Sequence, residues 1–237
     1  MSISERLKDG IRRTPLMGRI ARTLYLRLQN QRTFSGSSDY WERRYARGGN
    51  SGAGSYDRFA DFKAEVLNTF VIERKIASVI EFGCGDGHQL SLANYPRYLG
   101  FDVSATAIER CKSKFAQDKT KTFELLEQYQ QQRASLVLSL DVIYHLVEDE
   151  VYVAHMRALF EASDGYVIVY ASNREDEGKE ASHVRHRQFT DWVEEYARDW
   201  QLLDHIPNRY PDRGDPALGS SADFYFFEKT KAGSLGQ

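Results

Sequence analysis

Glycine occupies every second position of Gly83-Cys84-Gly85-Asp86-Gly87, directly after the apolar run Val79-Ile80-Glu81-Phe82. A strand that runs into such a loop lets a ligand approach the backbone closely, because three positions carry no side chain. A second element lies 19 residues after Gly83, where Tyr98-Leu99-Gly100-Phe101 ends in Asp102. An acid at the end of a second strand suits ribose hydroxyls held at the edge of a doubly wound sheet. A dinucleotide fingerprint would read G-x-G-x-x-G. Here the third glycine comes one place early and His88 stands where it should be.

The 237 residues suffice for one α/β domain with some decoration. A net charge of −2 gives no global basic field, so nucleic acid is not an expected partner. No run approaches the ~20 apolar residues of a membrane span, and the start lacks a secretory pattern, so a cytoplasmic location is expected. Two cysteines, Cys84 and Cys111, exclude a disulfide framework or a cysteine-rich zinc site.

Residues 1–38 form a basic arm in which Arg6, Lys8, Arg12, Arg13, Arg19, Arg22, Arg27 and Arg32 outnumber Glu5 and Asp9. Thr14-Pro15 starts a helix on which Met17, Ile20, Leu24 and Leu28 share a face. The arm reads as a packing helix, a lid, or a weak contact to an anionic membrane surface. Residues 39–230 form the main domain and 231–237 a flexible tail. Helices are expected at 57–71, 89–94, 105–115 and 151–161. Strands are expected at 77–82, 98–101, 123–126, 136–140 and 166–170. Near-continuous apolar strands alternating with helices predict a parallel sheet covered on both faces. Leu202–Ile206 and Phe224–Phe227 lack a helix between them and should pair antiparallel.

The pattern E-F-G-C-G-D-G followed by G-F-D-V-S resembles class I S-adenosylmethionine-dependent methyltransferases. That resemblance implies an α/β, doubly wound seven-stranded sheet with antiparallel strands 6 and 7. It implies S-adenosyl-L-methionine as cofactor, with Gly83, Cys84, Gly85 and Gly87 beneath its methionine portion. Asp102 would take both ribose hydroxyls, unless it only stabilises a helix N-terminus. Val103 would flank the adenine, and the Leu140 carbonyl would face the ammonium. Glu81 reads either as an acid near that ammonium or as an acceptor for loop amides. For the adenine amine, Glu124, Glu127 and Gln128 remain open. Tyr40-Trp41-Glu42-Arg43-Arg44-Tyr45 resembles an entry segment that closes over the methionine end, with Arg44 pairing the carboxylate.

The sulfonium is already an activated methyl donor, so an alcohol acceptor mainly needs alignment and a base. Asp141-Val142-Ile143-Tyr144-His145-Leu146 lies at the active edge of strand 4. His145 is the candidate base, with Asp141 orienting it or binding substrate; the alternative is a histidine that only closes the following turn. The polar loop after strand 5 offers His183, Arg185 and His186 to a polyhydroxylated or anionic acceptor. Arg209, in the loop between strands 6 and 7, and Tyr56 would complete that wall. His183 and His186 alone do not define a metal site. Magnesium, held by Asp141 with loop acids, is compatible with the resemblance.

Y-W-E-R-R-Y, G-S-Y-D-R-F-A-D-F-K, D-V-I-Y-H-L and H-V-R-H-R together resemble bacterial saccharide O-methyltransferases over about residues 38–230. The expected partner is a small-molecule or oligosaccharide acceptor. The competing readings are methylation of another small molecule at nitrogen or carboxylate, and a cofactor-binding module without turnover.

Overall fold

The computed structural model describes residues 34–178, 180–214 and 218–230. Almost all of the basic arm, and the 231–237 tail, lie outside the described residues. Seven strands form one sheet: β1 (Val79–Phe82), β2 (Tyr98–Asp102), β3 (Lys121–Leu125), β4 (Ala134–Leu140), β5 (Ser163–Ala171), β6 (Trp200–Ile206) and β7 (Asp223–Lys229). Their order is β3-β2-β1-β4-β5-β7-β6. The first five run parallel, and β7 is antiparallel to both β5 and β6. This is the seven-stranded sheet with antiparallel strands 6 and 7 that the resemblance implies.

Five helices accompany it among the described residues: α1 (Ser37–Ala46), α2 (Asp57–Glu73), α3 (Ala105–Lys114), α4 (Asp149–Glu161) and α5 (Phe189–Tyr196). No described helix is long and apolar enough to cross a membrane. The two-residue period of β4 divides the core between the two faces. Leu136, Leu138 and Leu140 pack with Phe62 and Leu67 of α2 and Cys111 of α3. Val137 packs on the other side with Met156 and Leu159 of α4 and Val193 of α5.

Two departures from the sequence expectation have local causes. The helix expected over 89–94 is only a 3₁₀ turn, Gln89–Leu92. Asn68 of α2 takes over the backbone groups that would prolong it, donating to the Leu92 carbonyl at 2.9 Å and accepting from the Asn94 amide at 2.8 Å. Helix α5 had no counterpart in the sequence reading, although Phe189 and Val193 are buried four residues apart. Strands β3 and β6 lie at the sheet edges, where only one residue of each is buried.

Candidate active site

Strands β1, β2 and β4 end side by side, and their C-terminal ends floor a cavity of about 520 Å³. Gly83, Cys84, Gly85, Asp102, Val103 and Leu140 line it. Gly85 has φ +58°, and a Cβ there would collide with the Ser51 side chain. Gly87 also has a positive φ, +69°, but it does not line the cavity. A Cβ on it would stand 2.9 Å from Cys111 Sγ and Phe115 Cε2, so this glycine lets α3 pack.

Asp102 is buried, and its two oxygens already accept backbone amides: Gly85 N–H at 2.9 Å and Ser104 N–H at 2.9 Å. Those bonds fix the carboxylate while leaving one lone pair on each oxygen, the arrangement that accepts two neighbouring hydroxyls. Burial raises its carboxyl to about 6, and the Ser104 and Gly85 amides oppose that rise. Glu81 is buried on β1 and accepts from Tyr98 Oη at 2.6 Å. Desolvation raises its carboxyl to about 7, against the opposing pull of Tyr98 and Lys63. Its hydrogen-bond partner is Tyr98, not a loop amide.

Sequence reasoning missed Lys63. It is fully buried on α2, lines the cavity, and donates to Asp141 Oδ2 at 2.6 Å. Asp141 also accepts from Tyr144 Oη at 2.7 Å and sits at φ +59°, a left-handed conformation that costs an L-residue roughly 1–2 kcal/mol. Neither bond is to His145, whose Nδ1 meets the His183 carbonyl instead. Asp141 does not orient that ring, contrary to the sequence expectation.

His145 lines the cavity, and its Nδ1 lies 3.0 Å from the His183 carbonyl. A carbonyl only accepts, so Nδ1 carries the proton and Nε2 holds the lone pair. Desolvation lowers the imidazole to about 4, which keeps it neutral. Trp41 meets the ring edge-on at 4.9 Å between centroids, and His183 stacks on it at 5.6 Å.

A roof covers the floor. Glu42 of α1 accepts from Ser104 Oγ and Thr106 Oγ1, each at 2.6 Å, which docks α1 on the start of α3. Asp86 accepts from the Ser51 amide at 3.0 Å and Tyr56 Oη at 2.7 Å. The glycine-rich segment is thereby tied to the loop it covers.

Several expected residues are engaged elsewhere. Arg44 donates through Nε to the Asn50 carbonyl at 2.6 Å and does not line the cavity. Tyr56 is held by Asp86 and stacks on His88, outside the cavity lining. Arg185 pairs with Asp149 at 2.9 Å, and Arg209 with Glu65 at 2.8 Å on the surface. His186 is buried against Ser172, and His183 reaches the site through its carbonyl. These polar side chains are consumed by partners that spacing alone does not reveal. Glu124, Glu127 and Gln128 do not line the cavity either; beyond Val103 it is walled by Leu126, Tyr129 and His155. Tyr129 meets Phe82 and Phe101 edge-on, at 5.1 and 5.4 Å between ring centroids. Among the described residues no group of three or more His, Cys, Asp or Glu side chains is placed to hold a metal ion. Asp141, the expected magnesium ligand, is neutralised by Lys63.

Residues 55–212 match the model of a methyltransferase domain family. The chain belongs to that family, and its fold and site define a class I S-adenosylmethionine-dependent methyltransferase. Comparison with curated protein sequences finds no match. Solved structures share the fold. The N-methyltransferase NodS from Bradyrhizobium japonicum WM9, in complex with S-adenosylhomocysteine, is 15% identical with a TM-score of 0.64, covering 82% of this chain and 99% of its own. Magnesium protoporphyrin IX methyltransferase from Synechocystis PCC 6803, with bound S-adenosylmethionine, is 16% identical with a TM-score of 0.57, covering 86% and 96%. The methyltransferase domain of bacterial CtHen1 is 19% identical with a TM-score of 0.56, covering 71% and 97%. The residues present fit the cofactor: a floor without side chains, a carboxylate with two open lone pairs, and a buried acid.

Proposed function

We propose that the chain methylates a hydroxyl of a sugar or oligosaccharide. One observation carries this reading: a neutral imidazole in the cavity whose Nδ1–H is committed to the His183 carbonyl, leaving Nε2 as an acceptor. Of the common methyl acceptors, a hydroxyl needs a base most, because its neutral oxygen is a poor nucleophile and must lose a proton. His145 Nε2 takes that proton as the new C–O bond forms. The cofactor supplies an activated methyl group whose departure leaves a neutral thioether. Asp102 holds the ribose hydroxyls, Val103 and Tyr129 flank the adenine, and the Gly83–Gly87 loop underlies the methionine portion. Trp41, Ser38 and Glu150 line the cavity. An aromatic face with hydroxyl and carboxylate partners suits a polyol. The resemblance to saccharide O-methyltransferases supports the same acceptor class and suggests methylmannose polysaccharide synthesis within it.

The test is to incubate the protein with S-adenosylmethionine and a panel of mono- and oligosaccharides, amines and carboxylic acids, then locate the methyl group by NMR. A methyl ether on a sugar is the expected product. Transfer to nitrogen or carboxylate alone would replace this reading, and tight cofactor binding without transfer to any acceptor would favour a binding module.

A further inference from the structure

Gln89 stands two residues after the last glycine of the loop, opens the 3₁₀ turn Gln89–Leu92, and is more than nine-tenths buried. Its Nε2 donates to the Ala60 carbonyl of α2 at 3.1 Å. That bond fixes the amide's orientation, because a carbonyl oxygen facing the Ala60 carbonyl would be repelled. Oε1 is left without a hydrogen-bond partner, and it is the only such buried side-chain atom among the described residues. The residue lines the cavity. An acceptor buried without a donor costs roughly 1–3 kcal/mol. Such an atom, held in place at the wall of a ligand cavity, marks where a ligand's donor belongs.

The other residues of the cavity lining define that donor. Glu81, on the strand that feeds the glycine loop, and Asp86, within the loop, line the same cavity as Gln89, and Asp86 is already met by Ser51, Tyr56 and the His88 amide. Lys63, one turn along α2 from Ala60, is the only Lys or Arg among the described residues that lines the cavity, and its Nζ is turned to Asp141. The lysine offsets one carboxylate of the cluster, and Glu81 and Gln89 Oε1 remain to be met by a ligand. A cationic donor meets both demands.

We propose that Gln89 Oε1 accepts a hydrogen bond from the α-ammonium of the cofactor's methionine portion, in the cavity that Glu81 also lines. Gln89 is thus a specificity-determining residue that separates the intact amino-acid end of the cofactor from nucleosides lacking an amine. The assignment rests on the family's cofactor and is independent of the acceptor proposed above.

The test is calorimetric titration of S-adenosylhomocysteine, and of its analogue lacking only the α-amino group, into the wild-type protein, Gln89→Leu and Gln89→Glu. Wild type should prefer S-adenosylhomocysteine over the deaminated analogue. Gln89→Leu should weaken S-adenosylhomocysteine roughly 10-fold or more, as for a lost hydrogen bond to a charged group. Its affinity for the deaminated analogue should not change, which also reports an intact cavity. Gln89→Glu should retain S-adenosylhomocysteine, because a carboxylate still accepts from the ammonium. Equal weakening of both ligands by Gln89→Leu would make Gln89 a structural residue and overturn the proposal. An undiminished preference for the amine would overturn it too, by placing ammonium recognition elsewhere. A wild-type protein that binds neither ligand would overturn the cofactor assignment beneath it.

Discussion

The floor of the cavity and the polar loop after β5 are both rich in groups that can bind ligands, yet the fold uses them in opposite ways. On the floor, Asp102, Glu81 and the glycine loop stand at the ends of buried parallel strands, with hydrogen-bond capacity left over. In the loop, Arg185 and Arg187 both reach Asp149, His186 is buried against Ser172, and His183 contributes its carbonyl to the site. The loop's charges thus hold the start of α4, and through His183 they place His145. A strand end aims a side chain by topology, whereas a loop side chain is aimed by whichever partner it finds.

Four expected outcomes follow from this contrast. The largest is on stability: Lys63→Met should cost about 3–5 kcal/mol in denaturant unfolding, because Asp141 loses its buried counter-charge. Adding Asp141→Asn should recover part of that loss. Next, Asp102→Ala should weaken S-adenosylhomocysteine binding by about 1.5–3 kcal/mol in calorimetry through the lost charge-assisted hydrogen bonds. Third, S-adenosylmethionine binding should release protons. Glu81 and Asp102 are raised to about 7 and about 6 in the free protein, and a cationic ligand favours their ionised forms. Release means that affinity rises with pH between about 5 and 8, through both raised values, and levels off above. Calorimetry in two buffers of different ionisation heat measures it, and no buffer dependence near pH 6.5 would place the ligand's positive charge away from these acids. The smallest effect is expected at Arg209, whose pair with Glu65 is screened by solvent: Arg209→Ala should leave the midpoint of the same denaturant unfolding and the turnover at the wild-type level.

The same contrast explains what the sequence disclosed. Val79–Phe82, Tyr98–Asp102 and Ala134–Leu140 are buried almost throughout, so their apolar runs and terminal acids stand out. Edge strand β3 buries only Phe123 and is correspondingly faint. Of the floor residues named from motifs, Gly83, Cys84, Gly85, Asp102, Val103 and Leu140 meet at one cavity, while Gly87 turns out to seat α3. Lys63 was not legible because a lysine inside Phe62-Lys63-Ala64-Glu65 reads as a solvated helix position. Only the tertiary approach of Asp141 makes its burial tolerable. Arg44, Arg185 and Arg209 show the converse: their acceptors, Asn50, Asp149 and Glu65, meet them in the fold and cannot be read from the local sequence.

The measurement that bears most directly on the division between floor and base is turnover of His145→Ala at saturating S-adenosylmethionine, alongside its affinity for S-adenosylhomocysteine. If the floor binds the cofactor and His145 takes the acceptor's proton, turnover should fall roughly 10²–10⁴-fold while that affinity stays at the wild-type value. Near-normal turnover, or a loss of affinity that matches the loss of rate, would contradict the account.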